Sequence, residues 1–381
     1  MKEGNFAPKL RILVAPMDWG LGHATRCIPL VHYLLQQGTE VWLAGEGRIE
    51  ALLRNEFPDL PFVHLPGYNI EYGRSKWDLL GKMALQIPKI LGRIEKENEW
   101  LQEAVAQHGF DVVISDNRFG LYHEDTYSVY MTHQLLIKAP FGSFGEGVMQ
   151  RLNYDFIEQF DECWVPDLPG VPSLAGGLSH PAKMPDLPVS YIGPLSRFSR
   201  SPGPAEPKHL LVVLTGPEPQ RSILEELLLE QLKQYAGPVL VVRGLPGNGE
   251  ESITVENLTI VNHLSAAALQ QAMEEASIVI SRCGYSTVMD LVALGKPSIL
   301  VPTPGQTEQE YLATHLMEQG LALCALQEEF PLLPLLQLAE EFPYQYPALD
   351  TSSLMETAVD AMLEKARARA AQKSPITPSA S

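Results

Sequence analysis

Short apolar runs alternate with helix-length segments along nearly the whole chain, and the alternation stops once, near residue 200, before it restarts. Apolar runs without polar alternation suit strands buried on both faces. Helices between them return the chain to the same edge, so each half predicts a mostly parallel sheet covered by helices. In the first half the expected strands are residues 10–17 (LRILVAPM), 39–45 (TEVWLAG), 61–66, 111–115 (DVVIS), 128–133, 162–166 (ECWVP) and 189–193 (VSYIG), with helices over 26–37, 48–55 and 76–107. In the second half the strands are 209–214 (HLLVVL), 238–242 (PVLVV), 258–261, 278–281 and 298–301, with helices over 223–235, 265–276, 287–294 and 308–319. Residues 196–207 (SRFSRSPGPAEP) are small, Pro-rich and aperiodic, the pattern of a linker.

The expected architecture is therefore α/β: two Rossmann-like, doubly wound domains facing across a cleft. Residues 1–197 form the first, completed by a C-terminal helix over 351–370. Residues 198–208 link it to the second, 209–350, and 371–381 read as a disordered tail rich in small residues. A length of 381 residues fits two to three domains.

Charge narrows the partners. Lys and Arg total 28 against 46 Asp and Glu, a formal net charge of −18. That balance excludes a general polyanion-binding surface, so nucleic acid is not an expected partner, but it leaves room for a phosphate-bearing ligand in one local cleft. Cys27, Cys163, Cys283 and Cys324 are far apart, without CxxC or Cys/His spacing, so no metal site is expected and the chain reads as reduced and cytoplasmic. Residues 1–11 lack the apolar core of a signal peptide. No apolar run approaches the ~18 residues of a spanning helix, so any membrane contact would be peripheral.

Doubly wound sheets bind ligands at the carboxyl ends of their strands, which directs attention to the loops there. In the first loop, 18–26 (DWGLGHATR), Gly20 and Gly22 permit a tight turn and place His23 at or near a helix N-terminus. There the helix dipole favours the neutral imidazole that a general base needs. A plain strand–helix turn with a capping histidine has the same pattern. Asp116, in 115–118 (SDNR), follows a strand and either orients His23 or caps a turn. His133 ends another strand and either lines an acceptor pocket or is a satisfied core histidine.

The densest polar cluster lies in 281–302 (SRCGYSTVMDLVALGKPSILVP). A strand ends at Ser281-Arg282-Cys283-Gly284, and the helix from about Tyr285 carries Ser286 and Thr287 in its first turn. Free N–H groups and two hydroxyls there suit a diphosphate. Asp290, three residues past Thr287 on nearly the same face, offers a carboxylate to ribose hydroxyls. A capping Ser286 and a solvated Asp290 are the alternative, against which the clustering in one turn weighs. Glu308 and Gln309 open the next helix and can bind sugar hydroxyls.

Residues 281–313 resemble the donor-binding half of the GT-B glycosyltransferases, most of all the family-28 group that includes the N-acetylglucosaminyltransferase forming lipid II. The family's R-x-G-x-x-T-x-x-E signature reads here as Arg282, Gly284, Thr287 and Asp290. The resemblance gives Asp290 the ribose role of the family's Glu, one methylene shorter, and gives Ser286 and Thr287 the phosphate turn. Glu308-Gln309 take the sugar-binding acid–Gln pair, with Leu312 where the wider group has Asn; a slip of one residue would put Gln309 and Glu310 there instead. His263-Leu264 fall where the family reads uracil through the backbone. Gly216 lies in the loop 215–221 (TGPEPQR) that opens the second domain, where two prolines remove amide donors. Arg221 then stands, by charge and position, as a phosphate partner or an exposed helix residue. Residues 20–26 (GLGHATR) resemble a bacterial and archaeal subgroup of glycosyltransferases.

What this implies is transfer of a hexose or N-acetylhexosamine from a UDP-sugar to an acceptor hydroxyl, inverting and metal-independent, with His23 as base. The UDP-sugar is a substrate and no cofactor is implied. The acceptor is a glycan, a lipid or a small molecule. A UDP-N-acetylglucosamine 2-epimerase or a non-catalytic sugar-nucleotide-binding protein would share the fold. Residues 76–93 carry Lys76, Lys82, Lys89 and Arg93 against one acid, Asp78. They read as an interfacial helix at the inner membrane face or as a core-packing helix with snorkelling lysines, kinked at Pro88.

Overall fold

A computed structural model of the chain describes residues 9–68, 76–138, 142–201, 203, 206–216, 218–245, 252–347 and 351–373. The first sheet is built from β1 (Arg11–Pro16), β2 (Glu40–Gly45), β3 (Phe62–His64), β4 (Val112–Asp116), β5 (Tyr127–Met131), β6 (Glu162–Val165) and β7 (Val189–Tyr191). Its order is β3-β2-β1-β4-β5-β6-β7, and every neighbouring pair is parallel. The second sheet contains β8 (His209–Val213), β9 (Val239–Val242), β10 (Ser252–Val255), β11 (Leu258–Val261), β12 (Ala276–Arg282), β13 (Ser298–Val301) and β14 (Leu323–Cys324). Its order is β10-β11-β9-β8-β12-β13-β14, parallel throughout except where β10 meets β11.

The central strands are buried end to end, as their unbroken apolar runs require. They are covered by α1 (Leu21–Gln36), α2 (Gly47–Glu56), α3 (Lys76–His108) and α4 (Gly142–Ile157) in the first domain, and by α5 (Gln220–Leu232), α6 (Ala266–Glu274), α7 (Tyr285–Leu294), α8 (Thr307–Glu318) and α9 (Leu332–Glu341) in the second. The last helix, α10 (Thr351–Lys373), returns to pack on α1, β5 and β7 of the first sheet. Lys365 Nζ meets Glu162 at 2.6 Å, Arg369 pairs with Asp161, and Tyr33 Oη donates to Asp360 at 3.1 Å.

Several elements differ from the sequence expectation. Helix α1 begins at Leu21, so residues expected in a loop form its first turn and His23 lies inside it. Helix α4 was not expected, because Gly142, Gly145 and Gly147 break the periodicity; apolar packing by Tyr154 and Ile157 overrides that local cost. Strand β10 has all four residues exposed and is held only as the antiparallel edge of β11, so burial patterning could not reveal it. Helix α3 runs through Pro88 as one element. The side chains of Lys76, Asp78 and Lys82, and all of Pro217, lie outside the described residues.

One apolar cluster spans both domains beneath the cleft. It joins Ala24 and Cys27 of α1, Leu195 and Phe198 of the inter-sheet segment, and Tyr285 and Met289 of α7.

Candidate active site

Strand order explains why residues scattered through the first half converge. Strand β1 lies between β2 and β4, so connections leave it in opposite directions and a crevice opens at its carboxyl end. Pro16 sits beside Asp116, and Asp116 beside Met131. The turn after β1, the end of β4 and the residues after β5 therefore meet at one point. Gly20 makes the turn with φ 153° and ψ 161°, a conformation essentially restricted to glycine. That places His23 in the first turn of α1.

His23 Nδ1 lies 3.1 Å from Asp116 Oδ2. Asp116 is fully buried and is forked by Arg26, which donates from Nε to Oδ2 at 2.8 Å and from Nη2 to Oδ1. Burial alone would raise this carboxyl; the guanidinium of Arg26 and the imidazole of His23 outweigh it and hold Asp116 at about 2. The carboxylate is thus ionised at neutral pH and can accept from His23 Nδ1–H, which leaves Nε2 with its lone pair, the state a general base requires.

The second domain meets this point directly. Ser286 Oγ, in the first turn of α7, donates to the Gly22 carbonyl at 2.9 Å. A Cβ on Gly22 would come within 2.6 Å of that Oγ, so glycine is required there by the approach of the two domains. Neither α1 nor α7 has a side chain capping its N-terminus, so the first turns of two uncapped helices meet at this contact. Thr287 carries the remaining hydroxyl of the α7 turn. His133 stacks flat on Tyr285, centroids 4.1 Å apart, and its Nε2 is 2.8 Å from Glu308 Oε1 across the cleft. Burial lowers the pKa of His133, whereas Glu308 stays below the ordinary glutamate value because pairing with His133 outweighs its own burial.

The donor-side residues divide into three groups. Ser286 and Glu308 lie at the cleft with His23, and Thr287 follows Ser286 in the first turn of α7. Asp290, one turn along α7, is buried and accepts from Ser196 Oγ at 2.7 Å; burial raises its carboxyl to about 6 against the opposing pull of nearby Arg197 and of Ser196. Burial and then Arg197 lower the pKa of His263, so Arg197 links the loop of His263 and half-buried Leu264 to Asp290. Gln309 turns back onto its own loop, its Oε1 accepting from the Thr303 amide at 2.9 Å. Gly216 bends the loop after β8 at φ 99°, and Gly284 precedes α7 in extended backbone.

Arg282 and Arg221 are occupied elsewhere. Arg282 is buried and donates to the Gln220 carbonyl and to Gln327 Oε1, both at 2.7 Å, bracing two loops of the second domain. Arg221 is held by Glu218, by Glu225 at 2.8 Å and by Ser222 at 2.7 Å, so its charge is already neutralised within its own helix and loop.

Sequence reasoning did not single out Arg26, Tyr285, Ser196 or Arg197. A charged residue on a helix ordinarily reads as solvated, and a serine and arginine in a Pro-rich linker read as connection. Arg26 had one signal, its spacing of three from His23 on what proves to be the same helix. Beside the centre, a cavity of about 310 Å³ opens between α1, α10 and the start of α6, lined among others by Ile28, His32, Tyr33, Ser196 and Arg197.

Two facing domains of this topology, with the site at the carboxyl ends of both sheets, define the GT-B glycosyltransferase fold. Solved structures agree: the glycosyltransferase of kitacinnamycin superposes with a TM-score of 0.60 at 15% identity, covering 95% of this chain and 96% of that one. MurG of Acinetobacter baumannii gives 0.53 at 16%, covering 94% and 100%. Residues 212–372 match the glycosyltransferase family 28 C-terminal domain. The UDP-N-acetylglucosamine–N-acetylmuramyl-(pentapeptide) pyrophosphoryl-undecaprenol N-acetylglucosamine transferase of Haemophilus ducreyi is 29% identical over 361 residues, 92% of this chain and 94% of that protein. The chain is a glycosyltransferase of GT-B fold whose second domain matches the family-28 C-terminal domain and which is similar over most of its length to a MurG-type transferase.

Proposed function

We propose that the protein transfers a sugar from a UDP-sugar to an acceptor hydroxyl with inversion at the anomeric carbon, without needing a metal. One observation carries the reading: the uncapped N-terminus of α7 faces a histidine whose Nδ1 is bound to a fully buried carboxylate. His23 Nε2 removes the acceptor's proton. The free N–H groups of α7 and the Thr287 hydroxyl take the charge developing on the leaving diphosphate, which supports metal-independent departure. Asp290 receives the ribose, and Glu308 the sugar through Oε2, its other oxygen being on His133. Because Ser286 already touches Gly22, donor entry requires the domains to part and reclose.

The acceptor face lies beside Trp19, Tyr68, Phe119 and Phe156, which pack together with Ile90 and Ile94 of α3. Leu91 of α3 and Val148 and Leu152 of α4, the helix that carries Phe156, are exposed. This apolar surface suits an acceptor carried on a lipid and a peripheral contact with the membrane that holds it. No helix among the described residues is long and apolar enough to cross a membrane.

The test is a thermal-shift screen with UDP, UDP-glucose, UDP-galactose, UDP-N-acetylglucosamine, GDP-mannose and dTDP-sugars. UDP and one UDP-sugar should raise the melting temperature, Thr287→Ala should shrink the shift, and His23→Ala should keep it while abolishing turnover of that donor. No shift with any nucleotide refutes the donor site. A shift with unaltered His23→Ala turnover refutes His23 as the base.

A further inference from the structure

Arg26 occupies the centre of the site, is 1% exposed and, beyond keeping Asp116 ionised, has no part in the chemistry derived above. A guanidinium only donates hydrogen bonds. Its Nε and Nη2 go to Asp116, and its Nη1 lies 3.3 Å from His133 Nδ1. That contact fixes the direction of everything beyond it. His133 Nδ1 must accept, so its proton is on Nε2, which donates to Glu308 Oε1 at 2.8 Å. On the other side Asp116 accepts from Arg26 and from His23 Nδ1–H. The chain of donors and acceptors closes without conflict: Glu308 accepts from His133, His133 from Arg26, Asp116 from Arg26 and His23. It crosses the cleft at one place, between His133 and Glu308.

The same geometry contains a competitor. Arg26 Nη2 is also 3.0 Å from His23 Nδ1. If Arg26 turned that N–H onto Nδ1, the imidazole would carry its proton on Nε2 and could not act as a base. Nη2 has a second N–H, so its bond to Asp116 Oδ1 does not by itself prevent this; what opposes it is the Asp116 carboxylate, which Arg26 keeps ionised and which can only accept from Nδ1–H, while the third bond to His133 holds the Nη1 end of the guanidinium. His133 is itself held in place by its stack on Tyr285, whose Oη donates to the Pro166 carbonyl at 2.8 Å.

We propose that Arg26 is a positioning residue that, with His133, ties the tautomer of His23 to the seating of Glu308, so that the base is set only when the donor domain is closed on the acceptor domain. The proposal rests on the reading of His23 as base, but its first test needs no sugar nucleotide. Histidine-selective ¹⁵N labelling of the full chain, with the His23 signal assigned by its loss in His23→Ala, reports which ring nitrogen carries the proton. Wild type should show Nδ1–H. Arg26→Gln should shift His23 toward Nε2–H, and His133→Gln, which leaves the Arg26–Asp116 fork intact, should shift it in the same direction. Neither residue is placed on the nucleotide, so UDP affinity should stay within about twofold of wild type, while donor turnover falls on the order of 10²-fold with KM little changed.

Arg26→Lys keeps the charge without the fork and should rescue folding but not the tautomer. An Nε2–H tautomer in wild type, or an unchanged tautomer in a folded Arg26 or His133 variant, overturns the proposal. If no nucleotide binds but the tautomer moves, the transferase reading fails and the positioning role stands.

Discussion

Asp290→Asn should make the protein more stable and its nucleotide binding weaker. The carboxyl is 9% exposed, and burial raises it from the ordinary 3.8 to about 6. An acid whose folded pKa exceeds its unfolded value binds more protons when folded. Stability contributed by its neutral form is therefore fully present below pH 3.8 and is lost as pH rises through about 6. At 1.36 kcal/mol for each tenfold change in proton affinity, the loss is about 3 kcal/mol. Asparagine still accepts from Ser196 Oγ and cannot ionise. Urea unfolding of wild type and variant in parallel, from pH 4.5 to 7.5, cancels the other carboxylates. The variant should gain about 1 kcal/mol at pH 4.5 and about 3 kcal/mol at pH 7.5. UDP affinity should move the other way, falling roughly 10- to 100-fold, because hydrogen bonds to a charged acceptor are worth about 1.5–3 kcal/mol. A stability difference that does not grow with pH refutes the buried-carboxylate argument. Unchanged UDP affinity with the stability effect intact refutes the ribose contact alone.

Gly22→Ala should block closure, since the new Cβ would meet Ser286 Oγ at 2.6 Å and Cβ at 3.0 Å. Donor turnover should fall, and Ser286→Gly in the same chain, which removes both atoms, should restore most of it; no restoration would show that the clash is not the cause. Arg221→Ala should leave UDP affinity within about twofold while lowering stability by about 3 kcal/mol, the cost of leaving Glu225, 8% exposed, with one partner fewer. A selective loss of UDP binding in that variant would return Arg221 to the phosphate site.

Periodicity carries much of the fold because a strand buried on both faces and an amphipathic helix leave different signatures along the chain. Strand β1, strand β4 and helix α7 were legible in that way, and so was the turn of polar groups at Ser286, Thr287 and Asp290, because neighbours in one helical turn are neighbours in sequence. Elements held by their partners left no such trace: β10, exposed on both faces, and α4, whose glycines conceal a helix that packs through Tyr154 and Ile157.

The sequence by itself therefore determined two doubly wound domains and the residue types at their strand ends. Only the tertiary structure decided which of those residues meet. Asp116 lies 93 positions from His23, and Glu308 lies 175 from His133, yet each pair is in hydrogen-bonding contact because β1, β4 and β5 are adjacent and the two sheets face each other. The roles of the arginines were decided there as well. Arg26, Arg221 and Arg282 are alike in sequence as cations near a loop. Burial forces each to find acceptors, and which acceptors stand within reach is set by packing: Asp116 for the first, Glu218 and Glu225 for the second, the Gln220 carbonyl and Gln327 for the third.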